Sequence, residues 1–209
     1  MPQISYKDEL QRKLIHLSSL IIPIIYYIYD KETILTLLIP YCLIVLSVEA
    51  FREYIPVLNK LYLLFFSSIL REHELKKKKF SLSGASTLLI SSVFCIYFFS
   101  KETAITAISI LIISDTCAAL IGRKWGKHKL HTKSYEGTIS FIISAICIVI
   151  YISSALELSN SFLIAGIVAA FTSAIAELYS KTLKIDDNIT IPITISVTIS
   201  LIKFMLESV

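Results

Sequence analysis

The chain has 209 residues, of which 55% are hydrophobic and 17% charged, with a formal net charge of +4 and a mean hydropathy of +0.73. Soluble domains usually carry about 25% charged residues, so this composition excludes a disordered chain and a collagen-like fibre. Five glycines and five prolines are too few for a turn-rich all-β protein. Because lipid offers the backbone no hydrogen-bonding partner, we expect an all-α, polytopic integral membrane protein.

The four cysteines each lie inside an apolar run, without the paired spacing that a disulfide framework or a zinc site requires. We expect them to act as small hydrophobic residues. The first apolar run begins after Arg12-Lys13 and is followed by no cleavage site. This run is therefore expected to be a retained span rather than a signal peptide.

Seven apolar runs of 15 to 18 residues are predicted to be transmembrane helices, near the short end of the ~17–25 residues that a crossing needs. They cover residues 14–29, 34–48, 82–99, 104–121, 137–154, 162–177 and 189–206. They leave so little loop that we expect one domain over residues 1–209.

Residues 54–70 place their apolar side chains on one helical face, a pattern typical of an amphipathic helix lying in the membrane interface. With this helix outside the membrane, seventeen of the 20 Lys and Arg residues fall on one side. The positive-inside rule then predicts a cytoplasmic N-terminus, whereas an eighth crossing would scatter the basic loops. The run Lys76–Lys79 is expected to contact anionic headgroups rather than a substrate phosphate.

Residues 190–200 alternate apolar and hydroxyl-bearing side chains, a period of two that is typical of a strand. A lone strand cannot cross a bilayer with unpaired edges. We therefore predict a helix here as well, in which Ser and Thr bond to their own or neighbouring helices.

Asp115 lies within the fourth apolar run, about two turns before its cytoplasmic end. An ionisable group at this depth costs several kcal/mol unless it is paired or metal-bound, so a functional role is the first hypothesis. Asp115 shares a helical face with Ala119, Gly122 and Gly126, which would let a helix or ligand approach closely. The alternative is an Asp that only bonds a neighbouring helix.

The sixth run carries a similar face of small residues, Gly166, Ala170 and Ser173, that ends in Glu177. Further acidic residues open the fifth and seventh runs, on the same predicted side of the membrane. Hard oxygen ligands of this kind suit Mg²⁺ carrying substrate phosphates. The candidate ligands are Asp115, Glu136, Glu177 and Asp187. Taken singly, Asp187 or Asn188 could instead be the N-cap of the last helix.

The loop between the fourth and fifth runs, GRKWGKHKLHTKSYEG, interleaves cations with glycines and hydroxyls. This pattern favours a polyphosphate-binding loop, although a basic loop that only sets topology is the alternative. The candidates are Gly122, Arg123, Lys124, Gly126, Lys127, Lys133 and Ser134. The chain has neither a P-loop nor the protein-kinase motif set.

Arg12, Lys13 and His16 lie within one turn at the start of the first run, where they could anchor the helix or belong to the site. Together with Asp115 they are the candidate catalytic residues. Metal ligand and general base both remain open for Asp115.

Several motifs together resemble the CTP-dependent lipid kinases, namely dolichol kinase, phytol kinase and CTP-dependent diacylglycerol kinase, which are related to phosphatidate cytidylyltransferase. The motifs are Arg12-Lys13-x-x-His16, Ser83-Gly84-Ala85-Ser86, Ser114-Asp115-Thr116, Gly122-Arg123-Lys124-x-Gly126, Lys133-Ser134-x-Glu136-Gly137, Glu177 and Asp187-Asn188-x-x-x-Pro192. The resemblance implies transfer of the CTP γ-phosphoryl group to a lipid hydroxyl with Mg²⁺. It places the functional pattern on Arg12, Lys13, Asp115, Gly122, Lys133 and Glu136, and adds Gly137 to the nucleotide-binding candidates.

Two other functions are weighed. The cytidylyltransferase branch carries a Pro-Gly-His-Gly-Gly stretch that is missing here, which favours the kinase. A transporter of an anionic solute would explain intramembrane acids but not the long basic loop.

The expected partners are the bilayer, a nucleoside triphosphate and a lipid alcohol, with the site on the cytoplasmic face and no nucleic acid. Phytol, geranylgeraniol, dolichol and diacylglycerol stay open as acceptors, as does the oligomeric state.

Overall fold

The computed structural model describes residues 6–52, 54–60 and 82–208. The helices with both ends in these ranges are α1 Tyr6–Ser18, α2 Ile21–Ile28, α3 Lys31–Phe51, α4 Gly84–Phe98, α5 Lys101–Trp125, α6 Tyr135–Ala155, α7 Asn160–Leu183 and α8 Asp187–Glu207, and residues 56–60 are also helical. An antiparallel ribbon of β1 Lys129–Leu130 and β2 Lys133–Ser134 joins α5 to α6. The predicted all-α class is confirmed apart from this ribbon, which sequence periodicity did not indicate.

Five of the described helices are long and apolar enough to cross a membrane: α3, α5, α6, α7 and α8. The shorter α4 has 15 residues and is also apolar. The chain thus has the character of an integral membrane protein, while seven crossings and a cytoplasmic N-terminus stay predictions. Of the predicted interfacial helix, residues 61–70 lie outside the described ranges, as does Lys76–Lys79.

The first apolar run is not one continuous helix. It divides into α1 and α2, of 13 and 8 residues, at Ser19-Leu20. Pro23 has no N–H to donate to the carbonyl of Ser19, and that carbonyl accepts instead from the backbone N of Ile22 at 2.9 Å. The break therefore follows from the missing donor.

Side-chain oxygens at the N-caps fix where several helices begin. Ser83, Ser134 and Ser159 each accept from the backbone N–H three residues later, at the starts of α4, α6 and α7. The N-cap of α8 is Asp186, whose carboxylate accepts from Asn188 N at 2.9 Å. Asp187 and Asn188, the alternative candidates for this cap, already lie inside the helix.

Helix α5 forms the centre of the bundle and contacts α1, α2, α4, α6 and α8. Its apolar stretch is 72% buried, far more than that of α3, α6 or α8. The segment with alternating hydroxyls is helical in α8, as predicted: Ile191, Ile195 and Ile199 recur every four residues and are fully buried. Asp115 is therefore carried by the most enclosed of the five described helices that are long enough to cross a membrane.

Candidate functional site

A buried ion pair links α1 to the middle of α5. The Lys13 ammonium donates to Asp115 Oδ2, and His16 Nε2 lies 3.8 Å from the same oxygen. The side chains of Lys13 and Asp115 are buried. The acid in the apolar run therefore has a counter-ion, as a buried charge requires.

Lys133 lies between two further carboxylates. Its ammonium donates to Glu177 Oε1 on α7 and lies 3.1 Å from Asp187 Oδ2 on α8. The charge of Asp115 on α5 also acts on Lys133. Two of the predicted acids, on α7 and α8, thus contact the lysine that β2 supplies, and a third, on α5, acts on it through its charge. We call Lys133, Glu177, Asp187 and Asp115 the Lys133 cluster.

The ribbon can deliver Lys133 because glycines let α5 and α6 approach closely. A Cβ added to Gly137 would lie 2.9 Å from the carbonyl oxygen of Ala118, and one added to Gly122 would lie 2.8 Å from Ser134 Oγ. At Gly126 the added atom would lie 2.1 Å from the carbonyl oxygen of Gly122. These glycines and Ser134, predicted to contact nucleotide, have a packing role that seats the ribbon.

Glu136 occupies a different position from the other predicted metal ligands. Its Oε1 accepts from the backbone N–H groups of Lys127 at 3.1 Å and His128 at 3.3 Å, and lies 2.9 Å from His128 Nδ1. These bonds close the loop that follows α5. Glu136 therefore organises the polypeptide that leads into the ribbon.

The other predicted nucleotide-binding cations of the loop have different surroundings from those of Lys133. Arg123 lies 3.0 Å from Glu9 on α1, and Lys124 lies over the Trp125 ring, 4.6 Å from its centroid. Lys127 is exposed. Among the basic candidates of the loop, the structure brings Lys133 into the carboxylate cluster and Arg123 to α1.

Two buried oxygens of the Lys133 cluster fit a divalent cation. Glu177 Oε2 and Asp187 Oδ1 make no hydrogen bond within the described part of the chain. No group of three or more His, Cys, Asp or Glu side chains among the described residues forms a complete metal cage. Mg²⁺ does not require one, because it keeps several waters and is usually bound by one or two carboxylates together with substrate phosphates.

Sequence reasoning missed two polar contacts near this site. Glu9 is 1% exposed and contacts Arg12 and Arg123, and its spacing of three residues from Arg12 was the available signal. Asn188 Nδ2 donates to Gly84 O at 3.0 Å and Thr87 Oγ1 at 3.2 Å. The Ser83-Gly84-Ala85-Ser86 motif is thereby tied to the start of α8, beside Asp187.

Comparisons with known proteins found relatives by sequence. The chain is 33% identical to an uncharacterized protein of Rickettsia prowazekii over 198 residues, 95% of this chain and 96% of that protein. It is 29% identical to CTP-dependent diacylglycerol kinase 1 of Saccharomyces cerevisiae over 216 residues, 90% of this chain and 71% of the yeast protein. A phytol kinase of Synechocystis is 32% identical over 104 residues, 46% of this chain and 44% of the kinase. No protein-family model and no solved structure matches the chain.

Proposed function

Because this chain belongs to the CTP-dependent lipid kinase family, we propose that it transfers the γ-phosphoryl group of CTP to the hydroxyl of a membrane lipid alcohol. The names of its relatives support an enzyme that phosphorylates a lipid, with CTP as the donor. The observation that carries the proposal for the site is the Lys133 cluster, in which the lysine of the ribbon contacts Glu177 of α7 and Asp187 of α8 and the charge of Asp115 on α5 acts on it. In this proposal the whole chain acts as one domain, with the site at the cytoplasmic face.

Phosphoryl transfer requires positioning and charge neutralisation more than covalent chemistry. Glu177 Oε2 and Asp187 Oδ1 are the oxygens proposed to hold Mg²⁺. When bound, the ion would neutralise charge on the β- and γ-phosphates. Lys133, already between these carboxylates, can turn its ammonium toward a phosphate oxygen as the nucleotide arrives. Glu136 supports this arrangement by holding the loop before the ribbon.

Asp115 is proposed to orient the acceptor hydroxyl and to take its proton. The ammonium of the adjacent Lys13 holds the carboxylate in place and compensates its charge, and His16 lies beside the same oxygen. A positioned carboxylate within hydrogen-bonding reach of a hydroxyl contributes general-base catalysis. The same contacts support a single site that includes Lys13, His16 and Asp115, which are far apart in sequence.

The lipid has an apolar approach along α6. A shallow groove of about 340 Å³ runs along this helix and is lined by Ile121, Glu136, Ile139, Ser140, Ile143 and Ser144. Glu136 lies at its end nearest the ribbon. A hydrocarbon tail in this groove would bring its hydroxyl toward the loop end of the bundle. Such a groove discriminates weakly between long apolar bodies, so isoprenoid alcohols and diacylglycerol are both proposed as acceptors.

The experiment that tests the activity incubates purified protein in mixed micelles with CTP, UTP, ATP or GTP against a panel of lipid alcohols. The panel contains phytol, geranylgeraniol, dolichol and diacylglycerol, each with and without Mg²⁺. We expect a phosphorylated lipid with CTP and Mg²⁺, and loss of the product when the metal is chelated. Absence of product with every pair of nucleotide and lipid would contradict the proposal.

A further inference from the structure

The turn of the ribbon has a backbone conformation that residues with a side chain rarely adopt. The last pair of the two strands is Leu130 with Lys133, so His131 and Thr132 form a two-residue turn. The φ angle of His131 is 53°, in the left-handed region that usually selects glycine or asparagine in such a turn. A conformation of this kind persists where surrounding contacts hold it, and such positions are frequent at functional sites.

Two side chains of α7 contact this turn. His131 Nε2 lies 2.9 Å from Thr182 Oγ1, so that the ring nitrogen and the hydroxyl share a hydrogen bond. The imidazole ring also meets the Tyr179 ring edge to face, with the ring centroids 5.2 Å apart and an interplanar angle of 75°. Tyr179 and Thr182 are three residues apart and therefore lie on one face of α7. We call His131, Tyr179 and Thr182 the His131 latch.

The His131 latch lies next to the Lys133 cluster, both along the ribbon and along α7. Lys133 follows His131 by two residues, and Glu177 precedes Tyr179 by two. The Lys133 ammonium donates to Glu177 Oε1 and lies 3.1 Å from Asp187 Oδ2. The turn of the ribbon and its lysine therefore contact the same helix at neighbouring points.

The ribbon has a second attachment at its base. Glu136 on α6 accepts from the backbone N–H groups of Lys127 and His128, which fixes the loop that leads into the ribbon. The His131 latch fixes the turn at the other end, against α7. Lys133 lies between the two attachments. Because its ammonium is carried on a flexible four-carbon stem, the position of this charge depends on how the backbone of the ribbon is held.

We propose that His131 is a positioning residue, whose contacts with α7 place Lys133 where it can bind the phosphates of a nucleoside triphosphate. The identity of this ligand rests on the proposed function, whereas the geometry of the latch does not. His131 acts through Lys133 and touches no substrate. The proposal gives the histidine a role in this turn, because glycine would adopt the same φ without strain but could not contact α7.

Thr182→Val tests the proposal, because it removes the partner hydroxyl on α7 and leaves the sequence of the ribbon intact. We expect the KM for CTP to rise about threefold, the effect of losing one solvent-exposed hydrogen bond. The KM for the lipid should stay unchanged, since Lys133 contacts the donor only. Thr182→Ser keeps the hydroxyl and should restore the KM for CTP of the wild-type protein.

The matched control is Thr172→Val on the same helix, where Thr172 Oγ1 lies 3.1 Å from Thr198 Oγ1 of α8. This variant loses the same kind of hydrogen bond away from the ribbon and should leave the KM for CTP unchanged. His131→Gly is a second test, because it permits the positive φ and removes both contacts with α7. It should raise the KM for CTP about tenfold, since the ring contact is lost together with the hydrogen bond.

Equilibrium binding of CTP with Mg²⁺ tests whether the effect passes through Lys133. His131→Gly should weaken binding about tenfold in the wild-type background and less than twofold when Lys133→Met is already present. Equal weakening in the two backgrounds would overturn the inference, because His131 would then act on the nucleotide by another route. A merely structural latch would lower the thermal unfolding midpoint and leave both CTP binding and the KM for CTP unchanged, which would also overturn it.

Amide hydrogen exchange separates this inference from the proposed function, because it needs no nucleotide. The amide hydrogens of the ribbon should exchange about threefold faster in Thr182→Val than in the wild-type protein or in Thr172→Val. Equal exchange in the wild-type protein and Thr182→Val would contradict the latch on its own. If the wild-type protein phosphorylates no lipid but exchange responds as expected, the proposed function fails and the role of the latch in holding the ribbon is supported.

Discussion

Replacing Lys133 by Met removes the ammonium from between Glu177 and Asp187. At an effective dielectric constant of about 20, one pair of unit charges 3.1 Å apart is worth about 5 kcal/mol. Part of this Coulomb energy is offset, because burying the lysine ammonium costs hydration and the variant no longer incurs that cost. Breaking a buried ion pair typically costs about 3–5 kcal/mol. Lys133 is 17% exposed and Glu177 2%, which places this pair near the buried limit. We therefore expect Lys133→Met to lower the free energy of unfolding by about 3 kcal/mol.

Mg²⁺ should restore part of the free energy of unfolding that is lost in Lys133→Met. With the ammonium gone, the oxygens of Glu177 and Asp187 lose their cationic partner, and a divalent cation that binds them in the folded state stabilises that state by mass action. The assay compares thermal unfolding of the wild-type protein and Lys133→Met in detergent, with and without millimolar Mg²⁺. The ion should raise the midpoint of the variant more than that of the wild-type protein, while lipid phosphorylation stays lost.

Lys203→Met is the matched control, because Lys203 also lies between two carboxylates, 3.8 Å from Glu102 and 4.0 Å from Glu207. Lys203 is 33% exposed, so its removal should cost less than about 1 kcal/mol. Equal destabilisation by the two substitutions would refute the reasoning. So would a Lys133→Met variant on which Mg²⁺ has no greater effect than on the wild-type protein.

Three further substitutions address the supports of the site. Asp115→Asn should abolish phosphorylation and destabilise the protein by leaving Lys13 buried without its counter-ion, and the added change Lys13→Met should recover unfolding stability but not activity. Gly137→Ala should lower the free energy of unfolding by about 1–3 kcal/mol, because its Cβ would meet the Ala118 carbonyl oxygen at 2.9 Å. Ser134→Ala removes the N-cap of α6 and should cost about 1 kcal/mol, measured by chemical denaturation, together with activity as the ribbon loosens.

Controls for these substitutions come from equivalent positions elsewhere in the chain. Gly84→Ala meets a side-chain atom, Asn188 Nδ2, at 3.3 Å rather than backbone, and should be milder than Gly137→Ala. Ser159→Ala removes the N-cap of α7 and should cost similar stability without a specific loss of activity. A fully active Asp115→Asn variant would remove that carboxylate from the proposed chemistry. Equal effects on activity at Ser134 and Ser159 would show that the ribbon has no special role.

The helices could be predicted because lipid-compatible segments must be long, apolar and internally hydrogen-bonded. The same reasoning placed Asp115, Glu177 and Asp187 at one end of the bundle, where Glu177 and Asp187 contact Lys133 and the charge of Asp115 acts on it. The side-chain partners could not be read from the pattern. Glu136 matches the three acids in type and in predicted side of the membrane, yet its carboxylate accepts the N–H groups of Lys127 and His128, because those donors follow the end of α5.

Local chemistry explains the remaining differences. The break between α1 and α2 depends on the missing N–H of Pro23. A backbone donor has no effect on the hydropathy of the run, so the pattern of apolar residues did not predict the break. Three consecutive polar residues around the start of α8 satisfy the capping pattern equally well in sequence. The pattern alone therefore could not predict that Asp186 is the N-cap. Glu9 was overlooked because an acid in a polar N-terminal segment resembles a solvated one. Its burial becomes visible only when α1 packs against α5.

The measurement that tests the proposed activity most directly is which phosphate of CTP, the α or the γ, is transferred to the lipid. Purified protein is given CTP labelled in either the γ- or the α-phosphate, together with Mg²⁺ and a lipid alcohol, and label is measured in the extracted lipid. Kinase activity predicts that the γ-label enters the lipid, that the α-label does not, and that Lys133→Met abolishes the transfer. Label from the α-phosphate in the lipid would indicate nucleotidyl transfer and would contradict the kinase. Transfer of the γ-label that persists in Lys133→Met would contradict the proposed role of the Lys133 cluster.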